Sequence, residues 1–275
     1  MRKLHRVLVG VGILVVVASV SLGNVIRARA ITGGYDAAIN QFGFVARLSV
    51  NGRPTCGGTL ISQSWVLTAA HCVSDELGDQ YPASAVQIAV GVESAQWSRN
   101  WRAVSRIVRH PRYQSFRTTA TFPYDAALVQ LSAPSPMRPV LLAQAEPAVG
   151  ATVTYLGWGC TAVAPGCQQQ SSILKRAETR LIPDARCGLR GAYARSSFCT
   201  STRNASTVRS GDSGGPALVR VGATWRLAGA VSGSNSSIDS AASVAAVQGW
   251  IDQTITPTPT PTNTVPPATT VPPPG

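Results

Sequence analysis

Short apolar runs, cut every few residues by Gly, Pro, Asn or Ser, constrain this chain more than any other feature. Phe44, Ala46, Leu48 and Val50 alternate with Val45, Arg47 and Ser49, and Val86, Ile88 and Val90 repeat at the same period of two. Residues 127–131, 152–156, 217–220 and 225–231 are further strand candidates. Many short strands between turn signals predict an all-β barrel or sandwich. One stretch reads as helix: Val244, Val247 and Ile251 recur at three and four with Trp250 beside them, and Ser240 or Ser243 is placed to cap it.

The two ends differ from this middle. Arg2, Lys3, His5 and Arg6 precede a nearly continuous apolar run from Val7 to Leu22, and Ala28-Arg29-Ala30 offers small residues to a signal peptidase. Residues 1–30 therefore read as an export signal, with an uncleaved membrane anchor as the rival. From Thr254 the chain is rich in Pro and Thr, ending in Pro272-Pro273-Pro274-Gly275. Proline joins neither a ladder nor a helix interior, so residues 254–275 are expected as an extended tail. Such a tail suits a linker, a wall-spanning stalk or O-glycan attachment. Residues 31–253 remain as one folded unit, and no internal repeat is visible in their sequence.

The six cysteines are even in number, and no Cys-x-x-Cys pair suggests zinc. Disulfides in an oxidising compartment are the better use, so the expected localisation is secreted and extracellular, with wall association through the tail. The chain carries a net charge of +12, and the first thirty residues hold five of its basic groups. The remaining positive charges are scattered, with no stripe for nucleic acid. No metal or cofactor is expected, since the cysteines lack zinc spacing.

Chemistry concentrates at three places. Acyl transfer needs a hydroxyl, a base and a group that fixes the base. His71 lies in Leu67-Thr68-Ala69-Ala70-His71-Cys72, Asp125 follows Tyr124 into an apolar run, and Ser213 lies in Gly211-Asp212-Ser213-Gly214-Gly215-Pro216. His110, the other histidine after residue 30, reads as structural. With Ile31-Thr32-Gly33-Gly34 and Gly157-Trp158-Gly159, these make five motifs in one order. By them, residues 31–253 resemble the trypsin/chymotrypsin-like serine peptidase family.

The resemblance implies two antiparallel β-barrels with the active site between them and a C-terminal helix. It implies Ser213 as nucleophile, His71 as base and Asp125 as the group that orients it. The amides of Gly211 and Ser213 would form the oxyanion hole, and a free Ile31 amine would pair with Asp212. Ala30 is not basic, so signal cleavage itself would generate that amine. The implied disulfides are Cys56–Cys72 and Cys187–Cys199, leaving Cys160 with Cys167. The substrate pocket would have Thr207 at its base and Ser232, Gly233 and Ser234 along one wall. Thr207 replaces the Asp usual in members that cut after Arg or Lys; Asp239 either supplies a counter-ion or caps the helix. The expected partners are protein or peptide substrates and protease inhibitors. A non-catalytic binding protein on the same fold is the alternative.

Overall fold

The computed structural model describes residue 31 and residues 34–93, 97–115, 122–160, 170–202, 207–235 and 237–256. Twelve main strands build two barrels. The first uses β1 (Val45–Val50), β2 (Arg53–Ser62), β3 (Trp65–Thr68), β4 (Val86–Val90), β5 (Arg102–Arg109) and β6 (Ala127–Leu131). Their antiparallel pairing runs β1-β2-β3-β6-β5-β4 and closes on β1. The second uses β7 (Thr152–Gly157), β8 (Lys175–Ile182), β9 (Ser197–Ser201), β10 (Pro216–Val221), β11 (Thr224–Ser234) and β12 (Ile238–Ser243). It runs β7-β8-β9-β12-β11-β10 and closes through β10 onto β7. The strand order of the first barrel is thus repeated in the second. The repeat leaves no trace in residue identity, because each position is chosen for its own packing neighbours.

Leu48, Leu60, Leu67, Ile88 and Leu128 fill the first barrel, and Val153, Tyr155, Phe198, Ala217 and Ala241 fill the second. Each large apolar side chain of this kind contributes about 1.5–3 kcal/mol on burial. β8 alternates strictly, with Lys175, Ala177, Thr179 and Leu181 buried and Glu178 and Arg180 exposed. β1 does not: all six of its residues are buried, Arg47 and Ser49 included. The face that carries Arg47 and Ser49 is therefore covered. The guanidinium of Arg47 reaches Gly211 of the second barrel, so this face lies against that barrel and not against water.

The C-terminal helix spans Val244–Ile255 and buries Val244, Val247 and Ile251. Ser243 is its N-cap, accepting from the Ala246 amide. Ser240 and Asp239 belong to β12, so neither caps it. The helix passes the boundary read from composition, and Thr254 Oγ1 still donates to the Trp250 carbonyl. No described helix is long and apolar enough to cross a membrane. Residues 1–30, most of the Pro/Thr tail and Cys167 lie outside the described residues.

Candidate active site

The triad candidates sit where the two barrels meet. His71 lies on a short 3-10 turn, Ala70–Val73, directly after β3. The Cys56–Cys72 disulfide ties that turn to β2, with Cα atoms 6.0 Å apart. Asp125 is fully buried just before β6. Its carboxylate accepts from the His71 amide at 2.9 Å, the His71 Nδ1 at 2.7 Å and the Ser232 hydroxyl at 2.7 Å. Three donors offset the cost of burying the charge. They also fix the imidazole tautomer, with the proton on Nδ1 and Nε2 left as acceptor. Burial pulls the His71 pKa down, but the charge and hydrogen bond of Asp125 more than offset it, and the net direction is upward.

The backbone that carries Asp125 is unusual. Tyr124 has φ 53°, a left-handed conformation that a bulky residue adopts only under external hold. His110 stacks on the Tyr124 ring at 4.8 Å, Arg112 covers it at 4.2 Å, and the Ser196 hydroxyl accepts from its amide. Burial, with the Arg112 charge beside it, lowers the His110 pKa to about 4, which favours the neutral ring near pH 7. His110 is thus a support for the Asp125 turn. Phe122 stacks on His71 at 5.3 Å and lines a pocket of about 270 Å³ with Gly233, Ser234 and Tyr193. Sequence reasoning missed Phe122; its place three residues before Asp125 was the available signal.

Ser213 approaches from the second barrel. Its turn is locked onto the first: the Gly57 amide donates to the Ser213 carbonyl at 2.7 Å. A Cβ on Gly214 would lie 2.1 Å from Thr68 Oγ1, and Gly214 has φ +75°, so only glycine fits this contact. The turn therefore packs on the residues just before His71. Among the described residues the Ser213 hydroxyl is not hydrogen-bonded to His71; such contacts often tighten only when substrate binds. The amides of Gly211 and Ser213 donate to no backbone carbonyl among the described residues.

Asp212, between them, is fully buried. It accepts from the amides of Gly159 at 2.7 Å and Arg209 at 2.8 Å. A Cβ on Gly157 or Gly159 would lie within 2.3 Å of its carboxylate oxygens, which explains the Gly-Trp-Gly motif. Burial pushes the Asp212 pKa up to about 6, against those amides and Arg47. Ile31 is wholly buried in the second barrel's core. Ala30 precedes it in the full chain, so its nitrogen is an amide here and carries no charge.

The pocket candidates also converge. Thr207 Oγ1 donates to Asp239 at 2.7 Å, and burial, the largest cause, raises the Asp239 pKa to about 7. Across from them, Ser234 Oγ donates to the Val208 carbonyl at 3.1 Å, linking the two walls. The Ser232 hydroxyl is committed to Asp125, leaving its backbone for any substrate contact. Cys187 and Cys199 form a disulfide with Cα atoms 6.1 Å apart. Cys160 is the expected partner of Cys167, which is not described. Cys56, His71 and Cys72 lie within ligand reach of one another, but the disulfide consumes both sulfurs and leaves one imidazole, too little for a metal.

Comparison with known proteins decides the family. The Trypsin family model matches residues 31–251. The chain belongs to the trypsin family. Serine protease SP24D of Anopheles gambiae is 32% identical over 193 residues, covering 69% of this chain and 67% of that protein. Human Serine protease 56 is 39% identical over 150 residues, half of this chain but only 23% of its own length. Among solved structures, mouse neuropsin, a serine protease expressed in the limbic system, superimposes with a TM-score of 0.69. It covers 81% of this chain and 99% of its own at 24% identity, a likeness of fold. The trypsin fold accounts for the two barrels, the C-terminal helix and the cleft in which the candidates meet.

Proposed function

We propose that this chain is a secreted serine endopeptidase that hydrolyses peptide bonds through an acyl-enzyme on Ser213. The observation that carries the reading is the Asp125 carboxylate, which grips His71 by both its backbone amide and Nδ1. His71 Nε2 then takes the Ser213 proton as the hydroxyl attacks the scissile carbonyl. The developing oxyanion is received by the Gly211 and Ser213 amides. His71 returns the proton to the leaving amine, and water repeats the sequence to free the enzyme. Asp125 stays ionised and stabilises the imidazolium.

Residues 1–30 act as the export signal, and their removal frees the Ile31 amine to pair with Asp212. The Pro/Thr-rich residues after the helix form a solvated tail suited to holding the enzyme at a cell wall. Thr207 and Asp239 form the base of the primary pocket, and Ser234 narrows its entrance. Protein or peptide chains are the substrates, and protein inhibitors would occupy the same cleft.

The test is hydrolysis of peptide and ester substrates by the secreted protein beside its Ser213→Ala variant. Loss of about 10⁴-fold in kcat is expected in the variant. Comparable rates from both would remove Ser213 from the reaction, and an inert parent would favour a binding protein on this fold.

A further inference from the structure

Arg47 is a fully buried cation that the triad chemistry leaves without a task. It projects from β1 across to the turn that carries Ser213. Its Nη1 donates to the Gly211 carbonyl at 2.7 Å, and its Nη2 donates to Gln170 Oε1.

Three successive peptide groups show what that contact controls. The Ser210 carbonyl accepts from the Cys160 amide, and the Asp212 carbonyl accepts from the Gly215 amide, both at 2.9 Å. These bonds aim the opposite ends of those peptides, the Gly211 and Ser213 N–H groups, away from the turn. The peptide between them joins Gly211 to Asp212. Its N–H reaches the Arg209 carbonyl at 2.9 Å, and its carbonyl is the one Arg47 holds. Gly211 has φ +94°, so its own backbone resists rotation weakly. The Arg47 donor thus holds the carbonyl end of this middle peptide, while the Arg209 carbonyl holds its N–H end.

Charge acts in the same direction. Arg47 and Asp212 are both buried, and each favours the ionised form of the other. Burial lowers the Arg47 pKa to about 10, which leaves the guanidinium charged at neutral pH.

We propose that Arg47 is a positioning residue for acyl transfer, a first-barrel guanidinium that holds the Gly211–Asp212 peptide so that both oxyanion amides face the scissile carbonyl. The proposal rests on the Ser213 endopeptidase reading. It assigns Arg47 no contact with substrate.

The experiment compares the mature protein with Arg47→Met, Arg47→Lys and Gln170→Ala. Removing one oxyanion donor in comparable sites costs about 10²–10³ in kcat. Arg47→Met should lose about 10²-fold in kcat while KM stays within about threefold, since the interaction matters chiefly in the transition state. Arg47→Lys should regain at least about tenfold of that loss, because an ammonium still donates and still carries the charge. Gln170 is uncharged and half-buried, and its truncation loosens Arg47 without burying a new charge. It should lower kcat alone, by about threefold to tenfold. Amide exchange at Asp212, the N–H of the held peptide, which donates to the Arg209 carbonyl, should quicken in each variant that lowers kcat.

Parental kcat in a folded Arg47→Met variant would overturn the proposal. So would kcat and KM worsening together, with Lys no better than Met, which is the mark of general destabilisation. Should Arg47→Met fail to fold, the Lys and Gln170 variants decide by the same criteria. An inert parent would refute the endopeptidase reading instead. Amide exchange then judges Arg47 on its own: quicker exchange at the Asp212 amide supports the positioning role, and unchanged exchange rejects it.

Discussion

Replacing Asp125 with Asn keeps the shape of the side chain and removes its charge. One oxygen still accepts from the His71 amide. The new amide nitrogen faces His71 Nδ1, 2.7 Å away, where only an acceptor is now tolerated. The imidazole must carry its proton on Nε2 and can no longer accept from Ser213. The Ser232 hydroxyl, also at 2.7 Å, can rotate to accept from the amide, so the buried network stays satisfied and the fold should survive. The lost charge-assisted bond is worth about 1.5–3 kcal/mol, or about ten- to a hundred-fold in rate. The wrong tautomer adds to it. Well-studied triads of this same family lose about 10⁴-fold in kcat, about 5.5 kcal/mol, a magnitude taken from those enzymes. Without the carboxylate, burial alone acts on His71 and drives its pKa down. Steady-state hydrolysis of an ester across pH should therefore show a large fall in kcat at unchanged fold, with the acid limb displaced to lower pH. Activity within tenfold of the parent, with the acid limb unmoved, would refute the role given to Asp125.

Two further outcomes follow from the titrating groups. In the parent, kcat/KM should rise with pH through a His71 pKa above the usual histidine value of 6.5, since only the neutral ring is a base; a flat profile from pH 5 to 9 would contradict this. Asp239 is held up to about 7 in the folded chain against about 3.9 when unfolded, so its stabilising share is full below about pH 4 and is lost as pH rises through 7. Asp239→Asn should flatten the fall of melting temperature over that window, and an unaltered slope would show that another group is responsible. On the proposed pocket reading, the same carboxylate ionises beside Thr207, so the ratio of kcat/KM for an Arg-bearing over an Ala-bearing substrate should climb through about pH 7 in the parent and not in the variant.

The motifs were legible because each concentrates its chemistry in a few neighbouring residues. His71 follows a strand end, Asp125 stands before an apolar run, and Ser213 sits among glycines needed for close packing. What escaped was set by contacts distant in sequence. Arg47 and Ser49 sit at polar positions of an alternating strand and look like solvent contacts, but the second barrel covers that face. Tyr124 gives no local hint of its left-handed backbone, which His110, Arg112 and Ser196 impose. The alternation of Lys175, Ala177, Thr179 and Leu181 escaped because two of its four inward residues, Lys175 and Thr179, are polar. Asp239 had two readings open, and only the pairing of β12 with its neighbours turned it toward Thr207.

The central claim is that Ser213 is a nucleophile activated by His71. The most direct measurement is covalent labelling of the mature protein by an active-site-directed phosphonate, read by peptide mass spectrometry. The account predicts one phosphonate per chain, carried on the peptide containing Ser213, with labelling abolished in His71→Ala and slowed in Asp125→Asn. Absence of labelling in a correctly processed, disulfide-intact parent, or labelling that persists undiminished in His71→Ala, would contradict it.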